Sequence, residues 1–183
     1  MKEAIALKKT NTKKLVLSAL FCALIFVATA ALPLPLGNGG YVNLGDTLIA
    51  VAAFFLGPVY GFLAAGMGSA AADLFLSYGI YAPVTFVIKG SMALVYVLVF
   101  RPFVKTKACV PMAFVAALAS ECLMVGGYFA FECALYGYAG ALVNVPGNLI
   151  QAAVGVAAST TLVSLFAHNK YLLKNSQMNF SFI

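Results

Sequence analysis

The stretch Asn43–Phe75, NLGDTLIAVAAFFLGPVYGFLAAGMGSAAADLF, decides how this chain folds. It is almost wholly apolar, with charges only at Asp46 and Asp73, and Gly57-Pro58 interrupts it near the middle. Read as one long helix, it leaves the chain with five helical spans and termini on opposite sides of a membrane. Read as two helices, Asp46–Leu56 and Val59–Leu76, it gives six spans and termini on the same side. The first of these is short, so the break has to be argued from elsewhere.

That a membrane is involved follows from composition. The chain has 183 residues, 63% hydrophobic and 9% charged, with a mean hydropathy of +1.01. Soluble domains carry about 25% charged residues. Backbone groups in hydrocarbon must be bonded internally, which leaves helix bundles and closed barrels. Barrel strands alternate apolar and polar residues over about ten positions. The runs here are unbroken and rich in Ala, Leu and Val, so the fold class is an all-α membrane bundle in a single domain. Besides the two spans above, the helices are expected at Lys14–Leu32, Pro83–Phe100, Val110–Phe131 and Val145–Ala167.

Charge placement chooses the six-span reading. Lys and Arg accumulate on the cytoplasmic side. Lys2, Lys8, Lys9, Lys13 and Lys14 open the chain. Arg101, Lys105 and Lys107 separate spans four and five, and Lys170 and Lys174 follow span six. Segments 33–45, 77–82 and 132–144 have none. Six spans put all of these on one side, leaving only Lys89 within a span; five spans scatter them. Both termini are therefore expected in the cytoplasm, with 1–13 a basic N-terminus and 168–183 a frayed tail. Ala28-Thr29-Ala30 imitates a signal-peptidase site, but an apolar stretch of about 18 residues exceeds the usual 7–15. The same clustering of Lys and Arg argues against a nucleic-acid partner.

Charges inside spans cost roughly 2.5–3.5 kcal/mol on insertion scales, so each calls for a partner or a function. Asp73 lies near the outer end of span three, Lys89 in the outer third of span four, Glu121 near the middle of span five and Glu132 at its outer end. Helical spacing groups them. Asn144, Asn148 and Gln151 share a face of span six; Glu121, Tyr128 and Glu132 share one of span five. Thr85 and Lys89 align on span four, as do Ser69 and Asp73 on span three. The inner halves are nearly all apolar, which describes a pocket open to the outside rather than a channel. Structural roles compete at several positions: an Asp73–Lys89 ion pair, Asn144 as an N-cap with Pro146 in the first turn, and Glu121 protonated and bonded across helices. Asn43 and Asp46 resemble a capping box at the start of span two, with Asp46 fixing the loop and Asn43 the better candidate for ligand contact.

Enzymatic chemistry finds little support. Gly66-x-Gly68-x-x-Ala71 fits a dinucleotide fingerprint but lies within a span and follows no strand. No phosphate-binding G-x-x-x-x-G-K-[ST] occurs, and the only histidine, His168, has no nucleophile set. Four cysteines show no metal-like spacing; Cys22 and Cys122 read as packing residues. No cofactor is expected. Ala19 and Ala23 form a small-x-x-x-small face on span one, suited to a neighbouring span of the same chain or to another membrane protein.

NLGDTLIAVAAFFLGPVYGFLAAGMGSAAADLF followed by YAPVTFVIKG resembles the substrate-binding S-components of energy-coupling factor (ECF) vitamin transporters. The likeness is closest to the branch with riboflavin-, hydroxymethylpyrimidine- and pyridoxine-type members, through the ordered N-L-G-D, L-G-P-x-x-G and K-G elements of Asn43–Gly90. The resemblance implies a vitamin pocket near the extracellular surface with the loop between spans one and two as its lid. It implies docking through Ala19 and Ala23 on a transmembrane T-component, energy from two cytoplasmic ATPases, no ATPase site in this chain, and residence in a bacterial cell membrane. The expected substrate-binding residues are Asn43, Asp73, Tyr78, Lys89, Glu121, Tyr128, Asn144, Asn148 and Gln151. With no tryptophan, ring stacking falls to Tyr41, Tyr78, Tyr81 and Tyr128. Four carboxylates in the outer half against Lys89 favour a small heterocycle with several donors, hydroxymethylpyrimidine or pyridoxine, over riboflavin. Lys89 either holds a ring oxygen or neutralises Asp73. The rival reading is a stand-alone ion-coupled transporter or channel using Glu121.

Overall fold

The computed structural model describes residues 2–31, 33–35 and 41–179, with side chains described over 12–31, 33 and 43–178. The long elements are α1 (Lys2–Ala30), α2 (Gly45–Phe75), α3 (Ala82–Phe100) and α4 (Cys109–His168), followed by the short α5 (Lys170–Asn175). Between α1 and α2, β1 (Leu34–Pro35) pairs antiparallel with β2 (Tyr41–Val42) in the register Leu34 to Val42. The loop 36–40 between these strands, part of the expected lid, and the side chain of Tyr41, an expected stacking residue, lie outside the described residues. Among the described residues, four helices are long and apolar enough to cross a membrane.

Two of these helices are broken. At 1.5 Å per residue, the 60 residues of α4 make a rod of about 90 Å, three times the roughly 30 Å of hydrocarbon. Gly137, at φ 73° and ψ 169°, folds it back. Gly57, at φ 73° and ψ −167°, does the same for α2. Both conformations are essentially restricted to glycine, and Pro58 removes the next backbone donor. The arms of each hairpin touch: a methyl group at Gly61 would sit 3.3 Å from the Ala53 Cα, and Asn144 Nδ2 donates to Glu132 Oε1 across α4 at 2.9 Å. Each of α2 and α4 is thus two helical arms rather than one rod.

The second break differs from expectation. Residues 132–144 are helical up to Gly137 and again beyond it, so one glycine does the work expected of a loop. Asn144 is then no N-cap; it lies inside α4, fully buried, bonded to Glu132. Pro146 is likewise inside the helix.

Close approach explains the false nucleotide fingerprint. A Cβ at Gly66 would stand 2.7 Å from the Phe86 carbonyl of α3, and one at Gly68 would stand 2.6 Å from the Cys22 carbonyl of α1. The two glycines admit neighbouring helices. Towards the end of the bundle holding Gly57 the core is apolar, built on Phe54, Val97, Phe100, Ala113 and Val163. The C-terminal segment closes that end rather than fraying. Asn169 accepts from the N–H groups of Tyr171 and Leu172, capping α5, and Ser176 and Met178 are buried, with Gln177 packed beneath Gly57. Residues 180–183 of the expected tail lie outside the described residues.

Helix α1 is the least embedded. Ala19 and Ala23 are exposed, beside exposed Leu15, Val16, Leu20, Leu24 and Val27. Gly57→Ala places a side chain in a conformation costing about 1–3 kcal/mol. The variant is expected to unfold at a lower temperature in detergent than wild type; an unchanged Tm would show that the hairpin does not depend on this glycine.

Candidate functional site

The polar residues gather at the end of the bundle opposite Gly57. Asp46, in the first turn of α2, is their centre. Its Oδ1 forms an ion pair with Lys89 Nζ from α3, and both side chains are 2% exposed. Its Oδ2 accepts from Gln151 Nε2 of α4. Gln151 Oε1 in turn accepts the backbone N–H of Asn43 at 2.8 Å, and Asn43 Oδ1 accepts that of Gly45 at 2.9 Å. One carboxylate thereby joins α2, α3, α4 and the chain entering α2.

This arrangement corrects two expectations. Residue Leu44 is the N-cap of α2 and no side chain caps it, so Asp46 is not a capping residue; its carboxylate faces inward. Lys89 takes Asp46, not Asp73, as its ionic partner. Two carboxylates were within plausible reach of one lysine, and Asp46 has the further hydrogen bond from Gln151 that makes a buried carboxylate tolerable.

A second node forms beside the first. Glu132 Oε1 accepts from Asn144 Nδ2 at 2.9 Å and from Tyr81 Oη at 3.2 Å. The Tyr81 ring meets Tyr78 and Tyr128, each at 6.4 Å between centroids, and Phe131 at 5.3 Å. Lys89 Nζ lies 5.5 Å from the centroid of the Tyr128 ring, a cation–π distance, while Tyr128 Oη and Thr85 Oγ1 are 3.0 Å apart.

Between the nodes is a cavity of about 30 Å³, room for roughly two water molecules. Asn43, Asp73, Lys89, Tyr128, Asn148 and Gln151 line it, together with Thr29, Ser69, Tyr81, Thr85 and Glu132. Of the expected residues, Tyr78 and Asn144 stand behind this lining, through Tyr81 and Glu132 respectively. Glu121 does not line it; its carboxyl group approaches Asp46 from behind and borders a different concavity, between the arms of α4. Among the described residues every carboxylate is buried, and Lys89 is the only buried cation.

Thr29 is the residue that sequence reasoning missed. It is 2% exposed near the end of α1, and its Oγ1 fills the space a side chain at Gly45 would need. The one available signal was a hydroxyl in an otherwise apolar turn, inside the Ala28-Thr29-Ala30 triplet that mimics a cleavage site. Thr29 Oγ1, Ser69 Oγ and Glu132 Oε2 are buried without a hydrogen-bond partner. Buried polar atoms of this kind are uncommon and call for an explanation, and here all three belong to residues around one cavity.

A polar cavity at one end of an apolar helical bundle is joined by a match along the chain: the family described as ECF-type riboflavin transporter, S component, matches residues 9–168. The chain belongs to this S-component family. A relative from Lactococcus lactis subsp. cremoris (strain MG1363), named thiamine precursor transporter HmpT, is 27% identical over 157 residues, 85% of this chain and 88% of that protein. A Pyrococcus woesei protein, named only as an uncharacterized protein in a gap 3' region, is 32% identical over 125 residues, 68% of this chain and 80% of that one. S components are membrane-embedded substrate-binding subunits of transporters, not enzymes, and the apolar helices of this one suit that setting.

Removing one partner of a buried ion pair costs about 3–5 kcal/mol, because the other charge is left uncompensated. Asp46→Asn is therefore expected to lower the unfolding temperature of this S component sharply, and Asp46→Asn combined with Lys89→Met to recover part of the loss. Thermal unfolding in detergent measures both; a double variant no more stable than the single one would show that the pair is not the source of the effect.

Proposed function

We propose that this S component captures a small, donor-rich heteroaromatic vitamin or vitamin precursor in the cavity around Asp73, Lys89, Asn148 and Gln151. Hydroxymethylpyrimidine is the first candidate and pyridoxine the second. The observation that carries the proposal is the set of unpartnered oxygens of Thr29, Ser69 and Glu132 beside the Asn148 amide. Together they offer a ligand hydroxyls, a carboxylate oxygen and an amide, which suits ring amino and hydroxyl groups. The name of the Lactococcus relative points to a thiamine precursor, while the family description names riboflavin; the compactness of the cavity favours the smaller ring.

In this reading Asp46, Lys89 and Gln151 hold the site together, Tyr81 and Tyr128 supply ring faces, and Tyr78 and Asn144 support them from behind. Glu121 acts on Asp46 rather than on the ligand. A cavity of about 30 Å³ does not admit a pyrimidine ring, so binding includes a parting of the lining side chains. All six rods cross the membrane with both termini in the cytoplasm, which puts the cavity at the extracellular surface and the Lys- and Arg-rich segments inside. The exposed Ala19–Ala23 face of α1 engages a T-component, and two ATPases of the assembled transporter supply the energy, since this chain has no phosphate-binding loop of its own.

Equilibrium binding to the purified protein distinguishes the ligands. Hydroxymethylpyrimidine is expected to bind more tightly than riboflavin, and Asn148→Ala to weaken it by about two- to tenfold, as expected for one neutral hydrogen bond of about 0.5–1.5 kcal/mol. Absence of binding by all three vitamins would refute the proposed substrate class. Ala19→Leu should leave binding unchanged but reduce uptake in cells that also express a T-component and its ATPases. Full uptake by Ala19→Leu would remove the proposed role of that face.

A further inference from the structure

Three amides share one stripe of α4 beyond Gly137: Asn144, Asn148 and Gln151, which are 0%, 5% and 4% exposed. The outer two are committed. Asn144 Nδ2 donates to Glu132, and Gln151 gives its Nε2 to Asp46 and its Oε1 to the peptide N–H of Asn43. The middle one is not. Among the described residues no group hydrogen-bonds to the Asn148 side chain, although it is as buried as its neighbours and lines the cavity between the two nodes.

Burial of an amide with donor and acceptor both unmet costs the desolvation of each, and such groups are rare for that reason. A carboxamide presents that donor and that acceptor side by side in one plane. The group that satisfies both at once is planar, with an acceptor next to a donor, as when asparagine meets the edge of adenine. In a small ring this edge is N=C–NH2, a ring nitrogen beside an exocyclic amino group, or its lactam counterpart O=C–NH. The other walls separate the two. Asp73 and Glu132 line the same cavity, and an ionised carboxylate accepts without donating. An amino group has a second N–H for one of them, whereas a lactam oxygen has only a second lone pair to set against them.

We infer that Asn148 selects the ring by reading an amidine edge, N=C–NH2, with Oδ1 taking one amino N–H and Nδ2 donating to the adjacent ring nitrogen. This rests on the reading of the cavity as a vitamin site and narrows its ligand to an aminopyrimidine-type ring. Hydroxymethylpyrimidine carries the edge, in its 4-amino group and N3. Pyridoxine, whose ring nitrogen has no amino neighbour, lacks it.

The test is equilibrium binding to the purified full chain in mildly alkaline buffer, which keeps every ring neutral. Three rings of one outline are compared: hydroxymethylpyrimidine, its 4-oxo counterpart, and 5-hydroxymethyl-2-methylpyridine, which keeps N1, the methyl and the hydroxymethyl group but has no such edge. Two neutral hydrogen bonds predict that wild type holds hydroxymethylpyrimidine about tenfold or more tighter than the pyridine, with the 4-oxo ring also weaker. Asn148→Leu, similar in size but without a hydrogen-bonding group, should cut that ratio about fivefold by weakening the pyrimidine and not the pyridine. Wild-type affinity for hydroxymethylpyrimidine no greater than for the pyridine, or than for pyridoxine, would overturn the inference and leave the vitamin reading standing; this comparison needs no variant to fold. An Asn148→Leu protein that loses affinity for both rings alike would overturn it as well, marking the residue as structural. Failure of every ring, pyridoxine and riboflavin included, to bind wild type would instead bring down the vitamin reading and this inference with it.

Discussion

The ion pair between Asp46 and Lys89 is the constraint around which the polar half of this protein is arranged. Both side chains are 2% exposed in a chain whose surroundings are hydrocarbon, where an isolated charge is expensive. Two opposite charges in contact remove most of that cost only if their remaining valences are also met. Gln151 meets the second Asp46 oxygen and the ring of Tyr128 faces the ammonium group. The consequences spread outward. Gln151, oriented by Asp46, is free to accept the Asn43 peptide N–H, which sets how the chain enters α2. The approach of Lys89 brings the first half of α3 close to α2, and Gly66 allows the helices to meet there.

The opposite end of the bundle is organised by shape instead. Two glycine breaks turn two long helices into hairpins, and the core between them is apolar and aromatic. Polar partners are few on that side. Ser120 donates to the Met92 carbonyl at 3.1 Å, joining α4 to α3, and other hydroxyls mostly return to their own helix, as Ser159 does to the Gly155 carbonyl. One end therefore holds a specific arrangement of charges and amides, the other a packed apolar plug.

Much of this was legible in the sequence because membranes restrict the alternatives. Apolar run length pointed to helices, and the Gly57-Pro58 break was visible as a dipeptide with two reasons to interrupt a helix. Gly137 was not, since a lone glycine among Tyr, Ala and Leu leaves the helical pattern nearly intact and its positive φ appears only in three dimensions. The site was legible as faces: Asn148 and Gln151, Tyr128 and Glu132, Thr85 and Lys89 do converge. Which carboxylate Lys89 would choose was not, because helical periodicity orders residues within one rod and is silent about the rotation of one rod against another. The reading of Asp46 as a cap failed for the same reason, a local rule overridden by a partner 43 residues away. Thr29 carried too weak a signal, and the burial of Ser176 and Met178 depended on a surface that only the folded α2 provides.

The network on Asp46 also implies an order of assembly. Its partners lie 43 and 105 residues further along the chain. During synthesis Asp46 and Lys89 become available to one another once α3 has formed, and the neutral pair they make suits early residence in the bilayer. Gln151 arrives only with the last arm of α4. Until then the second oxygen of Asp46 and the peptide of Asn43 lack the amide that joins them. The candidate site is therefore completed only with the last arm of α4, and a chain stopped short of Gln151 lacks the amide that joins Asp46 to the peptide of Asn43.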